Sequence, residues 1–259
     1  MAGRVQAVKD LLLDKPTLFQ DEVAQFIFDE FDIEISTRSV SNYLRRMKWT
    51  RKNCQRVAAQ RSQVARNDYW GKISSAGFRA DQLVFVDESG CDKRIGTRKY
   101  GWAPQGIRPV EVTKLARDKR WNILPAYTLD GYIAHWIYQG GTTQRLFNSF
   151  IEEAVLPLCN AWPGKDSVII MDNASCHKDP ILEEMCNQKG VKLIYLPPYS
   201  PDLNPIEESF AELKAYVKRH WDTFNSEYAE DFSGFLAHYI DEVGLHPAHG
   251  HFRSSGYTY

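Results

Sequence analysis

Two aspartates and a glutamate carry the most suggestive chemistry in the chain. Asp87 follows the apolar run Leu83-Val84-Phe85-Val86, and Asp172 follows Val168-Ile169-Ile170-Met171. Each reads as a carboxylate at the C-terminal end of a buried strand, where an ionised group is costly unless something positive answers it. Ligands of open α/β sheets gather at the C-terminal ends of strands, so the two carboxylates are expected in one site. Singly, each is also explained as an Asp capping the turn that follows; together, in strands expected to be neighbours, they point to a metal. Glu207 opens a helix behind a loop stiffened by Pro197, Pro198, Pro201 and Pro205. Asn204-Pro205-Ile206-Glu207 is also a capping-box pattern, which by itself accounts for a glutamate at that position. Lys214 and Lys218 continue the side of the helix that Glu207 occupies, as expected beside a phosphate-bearing substrate. Three hard oxygen donors suit Mg²⁺ or Mn²⁺. Two such ions about 4 Å apart can activate a water or a 3′-hydroxyl on one side of a phosphodiester and stabilise the leaving oxygen on the other.

A mixed α/β sheet is needed to hold these acids. The pattern predicts strands at Leu83 to Asp87, around the GWAPQG segment (two strands), and at Asn122 to Leu129, the last turning through Asp130-Gly131 into Tyr132 to Tyr138. A helix over Thr142 to Leu156, a buried strand over Ser167 to Asp172, a helix over Pro180 to Lys189, a strand over Val191 to Leu196 and a helix from Pro205 to about His220 complete it. Trp70, Trp102, Trp121 and Trp136 read as core and hairpin packing, and His246, His249 and His251 as a flexible tail.

The first fifty residues read differently, as three short helices. Val5, Val8 and Leu12 line the first, which ends near Asp14; Val23, Ile27 and Phe31 line the second, from about Gln20. The third starts at Ser36 or Thr37 and buries Val40, Leu44 and Met47. Its other face carries Arg38, Asn42 and Arg45, with Arg46 and Lys48 nearby, and Arg51 and Lys52 follow. Arg and Asn can each make two hydrogen bonds to a base edge, so this is the composition of a recognition helix for double-stranded DNA. A protein-interaction module has the same size, and the charge distribution favours DNA. The 259 residues balance at a net charge of -1, yet Ser36 to Arg66 holds nine basic residues and no acidic one. Lys93 to Arg120 holds nine basic against two acidic, and Trp221 to Tyr259 one basic against six acidic. Clustered positive charge is what phosphate neutralisation requires. Five scattered cysteines, no C-x-x-C, no signal-peptide pattern and no apolar run of about 18 residues predict reduced thiols, an intracellular chain and no membrane partner.

VFVDESGCDKR, GWAPQG, VIIMDNASCH and LPPYSPDLNPIE, in this order, resemble the catalytic domain of Tc1/mariner and IS630-type transposases, the DDE superfamily endonucleases. Between Asp172 and Glu207 lie 34 residues, as in relatives described as D34E. The resemblance implies an RNase H-like catalytic domain preceded by a small all-α helix-turn-helix domain of winged or paired type (Gln20 to Lys52). It implies the first Asp on the first strand, the second after the fourth strand and the Glu on a late helix. Asp87, Asp172 and Glu207 are then the catalytic and metal-binding triad, with Glu88, Asn173 and His177 supporting it and Asp202 and Glu208 out of register. It further implies cut-and-paste transposition by a homodimer on terminal inverted repeats with a TA target. The location would be the nucleus in a eukaryote or the nucleoid in a bacterium. Complete relatives usually carry two helix-turn-helix subdomains where this chain has room for one, and no GRPR-like hook is present. A transposase-derived DNA-binding protein without catalysis or mobility, and a structure-selective nuclease, are the alternatives. The expected organisation is a helix-turn-helix domain over 1–50, a basic linker or connecting helix over 51–80, the catalytic domain over 81–222 and an acidic tail over 223–259.

Overall fold

The structure, a computed structural model, describes residues 2–54, 58–98, 100–110, 120–174, 177–228, 231–244 and 248–257. The chain divides into two compact units, Met1–Ala58 and Ala59–Tyr259. The first contains α1 (Ala2–Asp14), α2 (Gln20–Phe31) and α3 (Thr37–Arg46). Val8, Leu12, Val23, Ile27 and Val40 form its core, with Leu44 and Met47 packed against them. These are the residues whose helical spacing marked them as apolar faces. Ser36 caps α3, its hydroxyl accepting from the Ser39 N–H at 3.2 Å.

In the second unit, α4 (Gln63–Ser75) precedes β1 (Leu83–Val86) and the short β2 (Ser89–Cys91). The hairpin of β3 (Trp121–Thr128) and β4 (Gly131–Gln139) follows, its turn admitting Gly131 at φ 109°, a value that strains residues with a side chain. Next come α5 (Gln144–Phe150), which runs on into a wider turn over Ile151–Val155, then β5 (Val168–Met171), α6 (Pro180–Lys189) and β6 (Lys192–Tyr195). The chain then forms α7 (Pro205–Arg219), α8 (Trp221–Glu227), α9 (Phe232–Gly244) and α10 (His249–Ser254). β3 pairs with β4 along one edge and with β1 and β2 in succession along the other; β1, β5 and β6 continue the sheet in parallel. Because the short β2 intervenes, Asp172 follows the fifth strand in chain order, not the fourth as the resemblance implied.

β1 and β5 are fully buried on both faces, which is why they read as unbroken apolar runs. Phe85 and Ile170 face a core with Tyr69 and Ile73 of α4, Ile206 and Phe210 of α7, Phe252 and Tyr257. Val86 and Met171 face the opposite core, against Phe147 and Phe150 of α5 and Leu182 of α6. A further core joins Leu213 and Val217 of α7 to Phe235, Leu236 and Ile240 of α9.

Three further expectations are corrected. Residues 100–110 form no strand: Tyr100 and Trp102 are fully exposed, and only the turn at Pro104 to Gly106 is as expected, closed by Ile107 N–H to Pro104 O at 3.0 Å. With no strand to pair against, an aromatic pattern there does not make core. The segment taken for an acidic tail contains most of α8, with α9 and α10, and Phe235 and Phe252 tie it into the second unit; the basic segment before the sheet contains α4, whose Tyr69 packs in the same core as Phe252. His249 and His251 lie in α10, not in a flexible tail, and Tyr127 Oη is 2.7 Å from His251 Nδ1; His246 lies outside the described residues. No helix among the described residues is long and apolar enough to cross a membrane.

Candidate active site

Parallel pairing sets Val86 beside Met171, so Asp87 and Asp172 leave neighbouring strands at the same level. Both line one cavity of about 350 Å³, and Glu207, in the first turn of α7, lines it as well. The three acids therefore line one cavity. The loop from Leu196 to Asn204, held by its prolines, closes the cavity on the α7 side.

Each carboxylate has its own environment. Burial, followed by the charges of Asp172 and Glu207, pushes Asp87 up to about 7, against the pull of the Glu88 N–H that donates to Oδ1 at 2.7 Å. Glu207 is likewise raised by burial, opposed by Lys214 and reinforced by Asp172. Asp172 moves the other way: burial would raise it, but His177 and the Ala174 N–H, which donates at 2.9 Å, bring it below the usual carboxylate range.

His177 is buried completely, its ring 4.1 Å from that of Phe147. Nδ1 lies 2.6 Å from Asp172 Oδ1, and Nε2 lies 3.2 Å from Glu88 Oε1. Burial alone would lower its pKa; the two carboxylates outweigh that and lift it to about 10. His177 thus sits between Asp172 and Glu88, whose carboxylates favour its protonated form.

Asn204 departs from expectation. It stands at the N-cap of α7 but makes no side-chain cap bond. Its amide nitrogen donates instead to Asp87 Oδ2 at 2.8 Å, and its Oδ1 is buried without a partner among the described residues. The capping box is not formed, so helix capping does not account for Glu207.

Among the described residues, no three His, Cys, Asp or Glu side chains stand together as a ready-made cation cage. The donor set nevertheless fits a hard divalent cation: three carboxylates share one cavity, and their mutual repulsion and burial, which raise Asp87 and Glu207, are what such a cation relieves.

Lys214, on α7, is close enough to Glu207 to affect its ionisation, and its Nζ lies 5.9 Å from the Phe210 ring; Lys218 is half-buried one turn further on. In the first unit, Arg38, Asn42, Arg45 and Arg46 are exposed on α3, and Lys48, Arg51 and Lys52 are exposed after it. Two other members of the basic run are turned inward. Arg66, 8% exposed, forms a two-pronged pair with Asp202 at 3.0 and 2.9 Å, and Arg61 joins it at 3.1 Å. Nothing local signals a contact between residues 136 positions apart.

The chain matches the DDE superfamily endonuclease family over residues 82–226 and the winged helix-turn helix family over residues 20–69. No curated protein matches it. Among solved structures, the Mos1 transposase paired-end complex with left transposon end is 17% identical, with a TM-score of 0.63, covering 97% of this chain and 78% of that one. The Mos1 strand transfer complex is 16% identical, with a TM-score of 0.64 and the same coverages. The mariner Mos1 paired end complex with Mg gives 16%, 0.63 and, again, 97% and 78%. At these identities the likeness establishes the fold: an RNase H-like mixed sheet preceded by a helix-turn-helix unit. With more than half of its length matched, and with the two aspartates and the glutamate gathered in one cavity, the chain belongs to the DDE superfamily endonucleases.

Proposed function

We propose that this protein is a metal-dependent DNA transposase that binds element ends, cuts them and joins them to a target. The observation that carries this is the meeting of Asp87, Asp172 and Glu207 in one cavity of a DDE endonuclease fold. These three residues would hold two Mg²⁺ or Mn²⁺ ions, which, when bound, activate the attacking oxygen and stabilise the leaving one. The chain's own groups prepare the place. The Glu88 N–H and the Asn204 amide fix the two oxygens of Asp87. The Ala174 N–H and His177 keep Asp172 ionised. Lys214 and Lys218 supply positive charge for a phosphate on the α7 side.

The exposed face of α3 suits the major groove, with Arg38, Asn42, Arg45 and Arg46 able to reach base edges and Lys48, Arg51 and Lys52 to reach phosphates. The likeness in fold to the Mos1 paired-end complex with left transposon end and to the Mos1 strand transfer complex supports action on the ends of a DNA element; on this reading the protein works as a homodimer on terminal inverted repeats with a TA target. Incubation with supercoiled or branched DNA and Mg²⁺ or Mn²⁺ tests the reading. Metal-dependent nicking that disappears in Asp172→Asn is expected; equal nicking by that variant would refute it. Salt-sensitive DNA binding with no nicking under either metal would identify a DNA-binding derivative instead.

A further inference from the structure

We infer that Asn204 is a positioning residue for the metal site: it holds Asp87 in its ligating orientation and couples the tip of β1 to the helix that carries Glu207. The inference rests on the metal-dependent reading above. An Asn at an N-cap ordinarily turns its side-chain oxygen back onto the first-turn N–H groups. Asn204 makes no such bond, although its main chain is at the N-cap and its C=O accepts from the Glu207 N–H at 3.1 Å. Its amide is committed to Asp87 Oδ2 at 2.8 Å, and chemistry sets the orientation, since the carbonyl end would be repelled by a carboxylate. The outcome is a buried carbonyl oxygen with no partner among the described residues, an arrangement unfavourable to folding and therefore in need of a reason.

The surroundings keep Asn204 in place. The preceding turn, Pro201–Leu203, is gripped from two sides. Asp202 is paired with Arg66 of α4 and with Arg61. The Leu203 carbonyl accepts from Tyr257 Oη at 2.8 Å, and that hydroxyl also contacts Tyr69 Oη of α4 at 2.6 Å. A side chain 3% exposed on a turn anchored this way has little freedom to do anything but hold Asp87. Groups that orient metal ligands from outside are typically worth about 10–100-fold in metal affinity.

The test is the binding of Mn²⁺ itself, read as the rise of the thermal midpoint with Mn²⁺ concentration and by calorimetry, for the wild type and for Asn204→Ala and Asn204→Ser. Ser is a good N-cap residue but cannot replace the bond, because its hydroxyl is too short to span to Asp87. Both variants are expected to fold and to bind Mn²⁺ roughly 10–100-fold more weakly. Wild-type Mn²⁺ affinity in Asn204→Ala overturns the inference and leaves the metal reading standing, as does full recovery in Asn204→Ser, which would make the residue a helix cap. Absence of any Mn²⁺ response in the wild type overturns the metal reading and this inference with it.

Discussion

Truncation of Arg66 should destabilise the catalytic unit far more than truncation of Arg61, although both residues pair with the same carboxylate. Arg66 meets Asp202 with two nitrogens at 3.0 and 2.9 Å, and its side chain is 10% exposed; Arg61 meets it with one nitrogen at 3.1 Å and is 23% exposed. Hydrogen bonds to charged groups contribute about 1.5–3 kcal/mol each. Asp202 is 40% exposed and keeps water and Arg61 when Arg66 is removed, so solvent screening reduces the loss. Arg66→Ala is therefore expected to cost about 1–3 kcal/mol, less than the ~3–5 of a fully buried broken pair, and Arg61→Ala under about 1. Arg66→Lys restores charge without the planar fork and should recover only part of the loss. Asp202→Asn leaves the largely buried Arg66 without its anion and should cost at least as much as Arg66→Ala. Urea midpoints for the single variants and for Arg66→Ala with Asp202→Asn close a double-mutant cycle, with an expected coupling of about 1–2 kcal/mol. The pH dependence has a definite sign. Burial would raise Asp202, but Arg66 and Arg61 outweigh it and bring its pKa below the ordinary value. A depressed carboxyl stabilises above its unfolded pKa of about 3.9 and loses that contribution as pH falls through the folded value. The gap between wild type and Asp202→Asn should be full at neutral pH and close on acidification below about pH 4. Equal costs for Arg61→Ala and Arg66→Ala, or a coupling near zero, would refute the reasoning.

Other outcomes follow from the same structure. In metal-free protein, His177 has a folded pKa of about 10 against about 6.5 unfolded, so its stabilisation is complete below the unfolded value and is lost as pH rises through the folded one. Chelator-treated wild type should thus lose stability between roughly pH 7 and 10 more steeply than His177→Gln, and parallel curves by urea unfolding would contradict this. Phe147→Ala removes a fully buried ring and should cost about 3–5 kcal/mol by the same assay. Arg51→Ala should weaken DNA binding about equally across sequences and lower the slope of log K against log salt by about 1, whereas Arg45→Ala should cost about 1–3 kcal/mol and relax sequence preference, as measured by fluorescence anisotropy across a salt series and a panel of sequences.

The elements with strong periodicity were readable from sequence alone, for local reasons. Leu83 to Val86 and Val168 to Met171 are apolar on both faces because helices cover both, and α6 runs from Pro180 to Lys189 as its proline and Gly190 imply. The meeting of Asp87 with Asp172 follows from strand polarity once the two strands are neighbours. Other features were set by distant partners. Arg66 is a surface-type residue that Asp202 draws inward, so a count of basic residues assigned it to the DNA-facing run. Asn204 has the composition of a helix cap, and only the proximity of Asp87 diverts its amide. Phe235, Ile240 and Phe252 sit in an acidic stretch whose net charge conceals apolar side chains packed on α7, β3 and β1.

The central claim is that Asp87, Asp172 and Glu207 act as one metal-dependent centre for cutting DNA. Its most direct measurement is Mn²⁺-dependent nicking of one supercoiled substrate by the wild type and by Asp87→Asn, Asp172→Asn and Glu207→Gln, with DNA binding and unfolding followed in parallel. Nicking by the wild type should fall to background in all three variants while DNA binding and folding persist; wild-type nicking by any one of the three would contradict the account.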